Sequence, residues 1–151
     1  MTSHPPSDQP SDQPSDQTPD AASLDIELID VARSARERAY APYSKFKMGA
    51  AVRTYDDEII PGALIENVSL GLAMCAERVA LFGTVTTGHR PVRLALVSPR
   101  TSGELTHPCG ACLQVALELG GPTVEVIVVD PDGESATSTV GELLPCGPHR
   151  S

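Results

Sequence analysis

The chain has 151 residues, of which 20 are acidic, 11 are Lys or Arg and four are cysteine, for a formal charge of −9. That length suits a single domain with a real core. The acidic balance excludes a surface built to neutralise phosphate backbones, so nucleic acid is not an expected partner. No basic, apolar leader opens the sequence and no apolar run nears the length of a membrane span, so the expected setting is cytoplasmic, with reduced thiols and no membrane contact.

Residues 1–23 read as a disordered tail, and 24–151 as the folded domain. Ser7–Pro10 and Ser11–Pro14 are identical SDQP units, and five prolines with almost no apolar bulk leave this stretch nothing to pack. Its four aspartates carry part of the charge, leaving 16 acids against 11 bases in the remainder. A helix is expected over Leu24–Tyr40, with Leu28, Val31, Ala32 and Ala35 on its buried face. The turn Ala41-Pro42-Tyr43-Ser44 ends it. Lys47–Thr54 and Glu58–Ile65 read as a β-hairpin about Asp56-Asp57. Cys75 opens a helix ended near Gly88, and Val92–Ser98 is a strand. Cys109 opens a second helix, closed by Gly120-Gly121. The apolar run Val124–Val129 is a further strand, followed by the turn Pro131-Asp132-Gly133 and a short helix over Val140–Leu144. The order α-β-β-α-β-α-β predicts a three-layer α/β/α sandwich around one mixed sheet, with the two cysteine-bearing helices on one face.

Those helices start with the chain's most specific pattern: Cys75-Ala76-Glu77, then about thirty residues, then Pro108-Cys109-Gly110-Ala111-Cys112. Three thiolates at Cys75, Cys109 and Cys112 suit a zinc ion with an open fourth position. Water held by such an ion ionises near neutral pH. Glu77, two residues from the first thiolate, is placed to carry protons to and from it. This C-x-E…P-C-x-x-C arrangement fits hydrolytic removal of an exocyclic amine from a base. Helix N-termini favour thiolates. Arg78 offers a positive group to a ligand sulfur, tempering the excess negative charge. Other readings of the cysteines are a redox pair at Cys109/Cys112, ordinary core residues, or a closed structural zinc site with Cys146 or a histidine as fourth ligand. Cys146 reads as a passive thiol.

With these residues in place, the chain resembles the small, zinc-dependent cytidine deaminases from about Leu24 to Pro145. The resemblance is carried by AYAPYSKFKMGAAV, IENVSLG, CAERVA, PCGACLQV and ELLP in that order. It implies deamination of cytidine and 2′-deoxycytidine in pyrimidine salvage, with zinc as cofactor and a homotetramer whose sites neighbouring subunits complete. It assigns Cys75, Cys109 and Cys112 to zinc, Glu77 to proton transfer and Arg78 to a zinc thiolate. It matches Phe46 to an aromatic beside the nucleoside, Glu66 to a carboxylate on the ribose 3′-hydroxyl and Ala76 to a backbone contact with the base.

Four positions depart from the family pattern. Leu64 stands where an asparagine usually binds the sugar, Leu70 where a tyrosine is usual, Leu113 where an arginine follows the last cysteine, and Pro148 where an aromatic often stacks. These changes leave the metal chemistry intact and make the pocket less polar. A relative acting on another aminopyrimidine is therefore a second expectation: blasticidin S deaminases share the zinc chemistry and vary at the position of Leu64. A non-catalytic zinc protein is a third, opposed by the presence of Glu77.

Overall fold

A computed structural model describes residues 21–149. The tail expected over 1–23 lies, apart from its last three residues, outside the described residues. The elements are α1 (Ala21–Glu37), β1 (Gly49–Thr54), β2 (Ile59–Ala63), a 3₁₀ turn (Leu70–Leu72), α2 (Ala76–Thr86), β3 (Pro91–Val97), α3 (Gly110–Gly120), β4 (Glu125–Val129), β5 (Ser135–Thr139) and α4 (Val140–Leu143).

Helix α1 starts three residues before the expected Leu24 and stops short of Tyr40. Its end has a local cause. The Arg38 and Ala39 amides tighten onto Ala35 and Arg36, and the Tyr40 amide then donates to the Leu64 carbonyl at 2.9 Å. That bond draws the chain out of the helix and alongside residue 65.

The strands form one five-stranded mixed sheet, ordered β2-β1-β3-β4-β5. β1 is antiparallel to β2 and β3, β3 is parallel to β4, and β4 is antiparallel to β5. β5 is a strand the sequence reading did not expect. Its residues, SATST, are half-exposed on an edge and lack the apolar alternation that marks a strand; backbone pairing with β4 makes it one.

The central strands are buried on both faces, and their side chains alternate between two cores. Ala50, Val52, Leu94, Leu96, Val126 and Val128 meet Ala76, Ala80, Leu81, Leu113, Ala116 and Leu117 of α2 and α3. Ala51, Ala95, Val97, Ile127 and Val129 meet Leu28 and Ala32 of α1. The expected three layers are therefore present, with the two cysteine-bearing helices side by side on one face.

Gly62 sets how closely α2 lies on the sheet. A Cβ there would stand 2.3 Å from the Ala76 carbonyl oxygen and 2.5 Å from the Ala80 nitrogen. Only a residue with no side chain allows the first turn of α2, the turn that bears Glu77, to rest directly on β2.

Candidate active site

Cys75 and Cys109 are the N-caps of α2 and α3, with extended backbone, and neither sulfur caps its own helix. Cys112 lies in the first turn of α3 and is fully buried. The three Sγ atoms all lie within 4.8 Å of one another, and those of Cys109 and Cys112 are 3.5 Å apart. Zn–S bonds of about 2.3 Å in a tetrahedron bring sulfurs to roughly 3.8 Å, so this donor set fits a zinc ion. Among the described residues no further His, Cys, Asp or Glu joins the group, and Cys146 is an exposed thiol outside it. Among the described residues, no closed four-ligand site is formed with Cys146 or a histidine.

The cluster's electrostatics favour a cation. A hydrogen bond from Cys112, with a further one from Arg78, brings Cys75 down to about 5. The same bond to Cys75, together with burial, pushes Cys112 up. Metal binding to such a cluster releases any thiol protons, because thiolates are the ligands. The Arg78 Nη2 donates to Cys75 Sγ at 3.5 Å, one helical turn on. The arginine expected beside a thiolate is there.

Glu77 is 1% exposed, and its Oε2 has no hydrogen-bond partner among the described residues. Burial, reinforced by the Cys75 charge, raises its carboxyl to about 7. An orphaned buried carboxylate oxygen is expensive unless a ligand uses it. A closed structural metal site has no need of such a group.

The remaining expected site residues are assembled by short bridges. The Ile65 and Met74 amides and carbonyls exchange hydrogen bonds at 3.0 and 2.8 Å, which brings the segment after β2, with Leu64 and Glu66, beside Cys75. Leu64 is half-buried, and its backbone is taken up by Met48 and Tyr40. Ala76 is fully buried under the first turn of α2. Glu66 accepts from the Tyr43 amide at 2.9 Å and from the Ser44 amide at 3.3 Å. Hydrogen bonding from Ser44 and Tyr43, together with the Lys45 charge, outweighs desolvation and holds Glu66 below the usual carboxylate range. Phe46 closes the same loop, half-buried, its amide donating to Ser44 Oγ at 3.0 Å. The structure thus joins Phe46 and Glu66 through a hydrogen-bonded turn, a link invisible in the sequence because 19 residues stand between them along the chain.

Of the departures, Leu113 is buried in the core beneath α3, and Leu70 is exposed on the 3₁₀ turn. The Pro148 carbonyl accepts from Gln114 Nε2 at 2.8 Å, which ties the C-terminal segment to α3 just beyond Cys112. A shallow cavity of about 190 Å³ between α1, β2 and α2 is separate from the cluster, and no thiol or carboxylate lines it.

Two adjacent helix N-termini, three clustered cysteine sulfurs and a buried acid in the first turn of α2 fit a zinc-dependent hydrolytic deaminase. The chain belongs to the cytidine and deoxycytidylate deaminase family: residues 22–129 match the family model of its zinc-binding region. It is similar to a cytidine deaminase of Halalkalibacterium halodurans, at 46% identity over 118 residues, 78% of this chain and 89% of the relative. The fold matches a crystal structure of cytidine deaminase from Burkholderia pseudomallei with a TM-score of 0.77 and 45% identity, covering 82% of this chain and 98% of that one. A blasticidin-S deaminase of Bacillus cereus is more distant, at 27% identity over 128 residues, 80% of this chain and 89% of the relative.

Proposed function

We propose that the substrates are cytidine and 2′-deoxycytidine, deaminated to uridine and 2′-deoxyuridine, with Cys75, Cys109 and Cys112 as the zinc ligands and Glu77 as the proton carrier. The observation that carries this reading is the unpartnered, buried Glu77 oxygen beside three clustered sulfurs. The names of the relatives support the nucleoside class.

When bound, zinc supplies a Lewis acid that makes water a competent nucleophile at neutral pH. The chain's own residues do the rest. Net reaction replaces the C4–N bond of the base with a C4=O bond, and ammonia leaves. The two protons of the water end on the ring nitrogen and on the departing amine. Glu77 moves both, accepting from the water and donating to N3 and then to the leaving group. Burial suits it to the task, because a carboxyl near neutrality exchanges protons in both directions. Arg78 holds Cys75 as a thiolate and offsets part of the ligand charge. Ala76 offers its backbone to the base. Glu66 and Phe46 shape the sugar side, with Leu64 contributing apolar surface where a polar sugar contact is usual.

Leu64 also motivates the second reading, an aminopyrimidine analogue such as blasticidin S. An ultraviolet assay of cytidine, deoxycytidine, cytosine and blasticidin S, with wild type and Glu77→Gln, decides between them. Turnover of both nucleosides, lost by at least 10²-fold in a variant that still binds zinc, is expected. Turnover of blasticidin S alone would overturn the nucleoside assignment, and an active Glu77→Gln would overturn the proton-carrier role.

Val68, Leu70 and Leu72 are 81, 88 and 67% exposed on the segment between Glu66 and Cys75. Such an apolar ridge favours a homotetramer in which neighbouring copies cover it. Sedimentation of a fully active monomer would refute that. No helix among the described residues is long and apolar enough to cross a membrane; with the reduced thiols that zinc ligation needs, this supports a cytoplasmic enzyme. Residues 24–151 form the deaminase domain in this reading, and removing the tail before residue 21 should leave kcat unchanged.

A further inference from the structure

The loop between β3 and α3 delivers Cys109, and Cys109 is the least constrained of the three sulfur-bearing residues. Cys112 is fully buried within α3, and Cys75 follows the Ile65–Met74 bridge, whereas Cys109 is exposed at a helix cap. What holds the approach to Cys109 is a network centred on Arg100. Its Nε donates to Asp130 Oδ2 at 2.8 Å, its Nη1 to the Gly103 carbonyl at 2.8 Å and its Nη2 to Glu134 Oε2 at 2.6 Å. All three nitrogens of the guanidinium are used, and they join two segments: the loop at Gly103 and the β4–β5 turn that carries both Asp130 and Glu134.

The anchor is firm. The Asp130 side chain is 2% exposed at the end of β4, and its second oxygen accepts from the Glu134 amide at 2.9 Å. A carboxylate buried to that degree is retained by its partners. On the loop side, Ser102 and Gly103 turn through positive φ, which aims the Gly103 carbonyl back at Arg100. Thr106 Oγ1 donates to the Pro99 carbonyl at 2.7 Å and lies 2.8 Å from Thr101 Oγ1, closing the loop on itself. Leu105 packs on the main core. Residue 106 is therefore fixed relative to the sheet, and Pro108 limits what the backbone can do before Cys109.

We propose that Arg100 is a positioning residue: it ties the loop ending at Cys109 to Asp130 at the end of β4, and so holds that thiolate in register with Cys75 and Cys112. The proposal rests on the zinc-ligand reading above. It does not place Arg100 in contact with substrate or metal. An Arg at this place does what a Lys cannot, since only a planar fork reaches an acid, a carbonyl and a second acid at once.

The test is the rate at which the zinc-loaded protein releases its metal to an excess of a chromogenic zinc chelator. Arg100→Ala and Asp130→Asn should each release zinc about 10-fold faster than wild type, the lower end of what supporting partners of metal ligands usually contribute. Arg100→Lys should fall between them and wild type. kcat should drop in the same order, with KM for the nucleoside moving less than twofold. Release within twofold of wild type in both Arg100→Ala and Asp130→Asn overturns the proposal, whatever their melting temperatures. If Arg100→Ala does not fold, Arg100→Lys reads the same rate: wild-type release from it overturns the clamp, and faster release supports it. A wild-type protein that retains no zinc on purification overturns the ligand reading itself and the clamp with it.

Discussion

Gly62→Ala is the sharpest test of how the fold holds the chemistry. The added Cβ would stand 2.3 Å from the Ala76 carbonyl oxygen and 2.5 Å from the Ala80 nitrogen, where ordinary contact begins at 3.4 Å. Both obstacles are backbone, so no side chain can swing aside. The first turn of α2 must retreat from β2 by about 1 Å, and it carries Ala76, Glu77 and the Cys75 cap. α3, held by its own packing on Leu94 and Leu96, has no reason to follow. Overpacking of this kind costs about 1–3 kcal/mol. A displacement near 1 Å at reacting groups costs about 10²-fold in rate. The expected variant folds with a melting temperature several degrees lower, binds zinc less tightly and loses kcat by roughly two orders of magnitude. The measurements are a thermal melt, zinc content after dialysis and steady-state deamination. A Gly62→Ala protein with wild-type kcat and full zinc would show that α2 is not seated by this contact.

Three further outcomes are expected. Leu96, fully buried between the sheet and α2/α3, should cost about 2–5 kcal/mol when cut to alanine; denaturant unfolding measures this, and a cost below 1 kcal/mol would mean that the layer is not close-packed there. Glu66 has a folded-state pKa below its ordinary value, so its contribution to stability is present above the usual glutamate range and lost as pH falls through the folded value. Glu66→Gln should therefore flatten the fall in melting temperature below about pH 4.5, and identical acid profiles would sink the argument. Leu64→Asn should lower KM for cytidine about 5- to 100-fold with little change in kcat, if a hydroxyl of the sugar lacks a partner beside Leu64. An unchanged KM would mean the sugar is held elsewhere.

The cysteine cluster and the acid beside it were legible in the sequence because their parts are local. Cys75, Glu77 and Arg78 lie within one turn of a helix, and so do Cys109 and Cys112; 3.6-residue periodicity puts each set at a helix start without reference to the rest of the chain. The three layers were legible for a similar reason, since the apolar runs of β1, β3 and β4 alternate with amphipathic helices. The edge strand β5 was not, because Ser135–Thr139 carries no hydrophobic pattern and becomes a strand only through pairing with β4.

By itself, the sequence determined the chemistry: which atoms can bind zinc, which acid stands beside them, and that both lie at helix N-termini. Tertiary structure alone decided the geometry between those local units. It set the strand order that puts α2 next to α3, the Gly62 contact that seats Glu77, the Glu66 bonds that hold the Phe46 loop and the Arg100–Asp130 pair that braces Cys109. Each joins residues far apart in the chain, and their meeting depends on how the sheet is assembled. Residue type and spacing encode what a short segment can do; the summed packing of every layer decides where that segment stands.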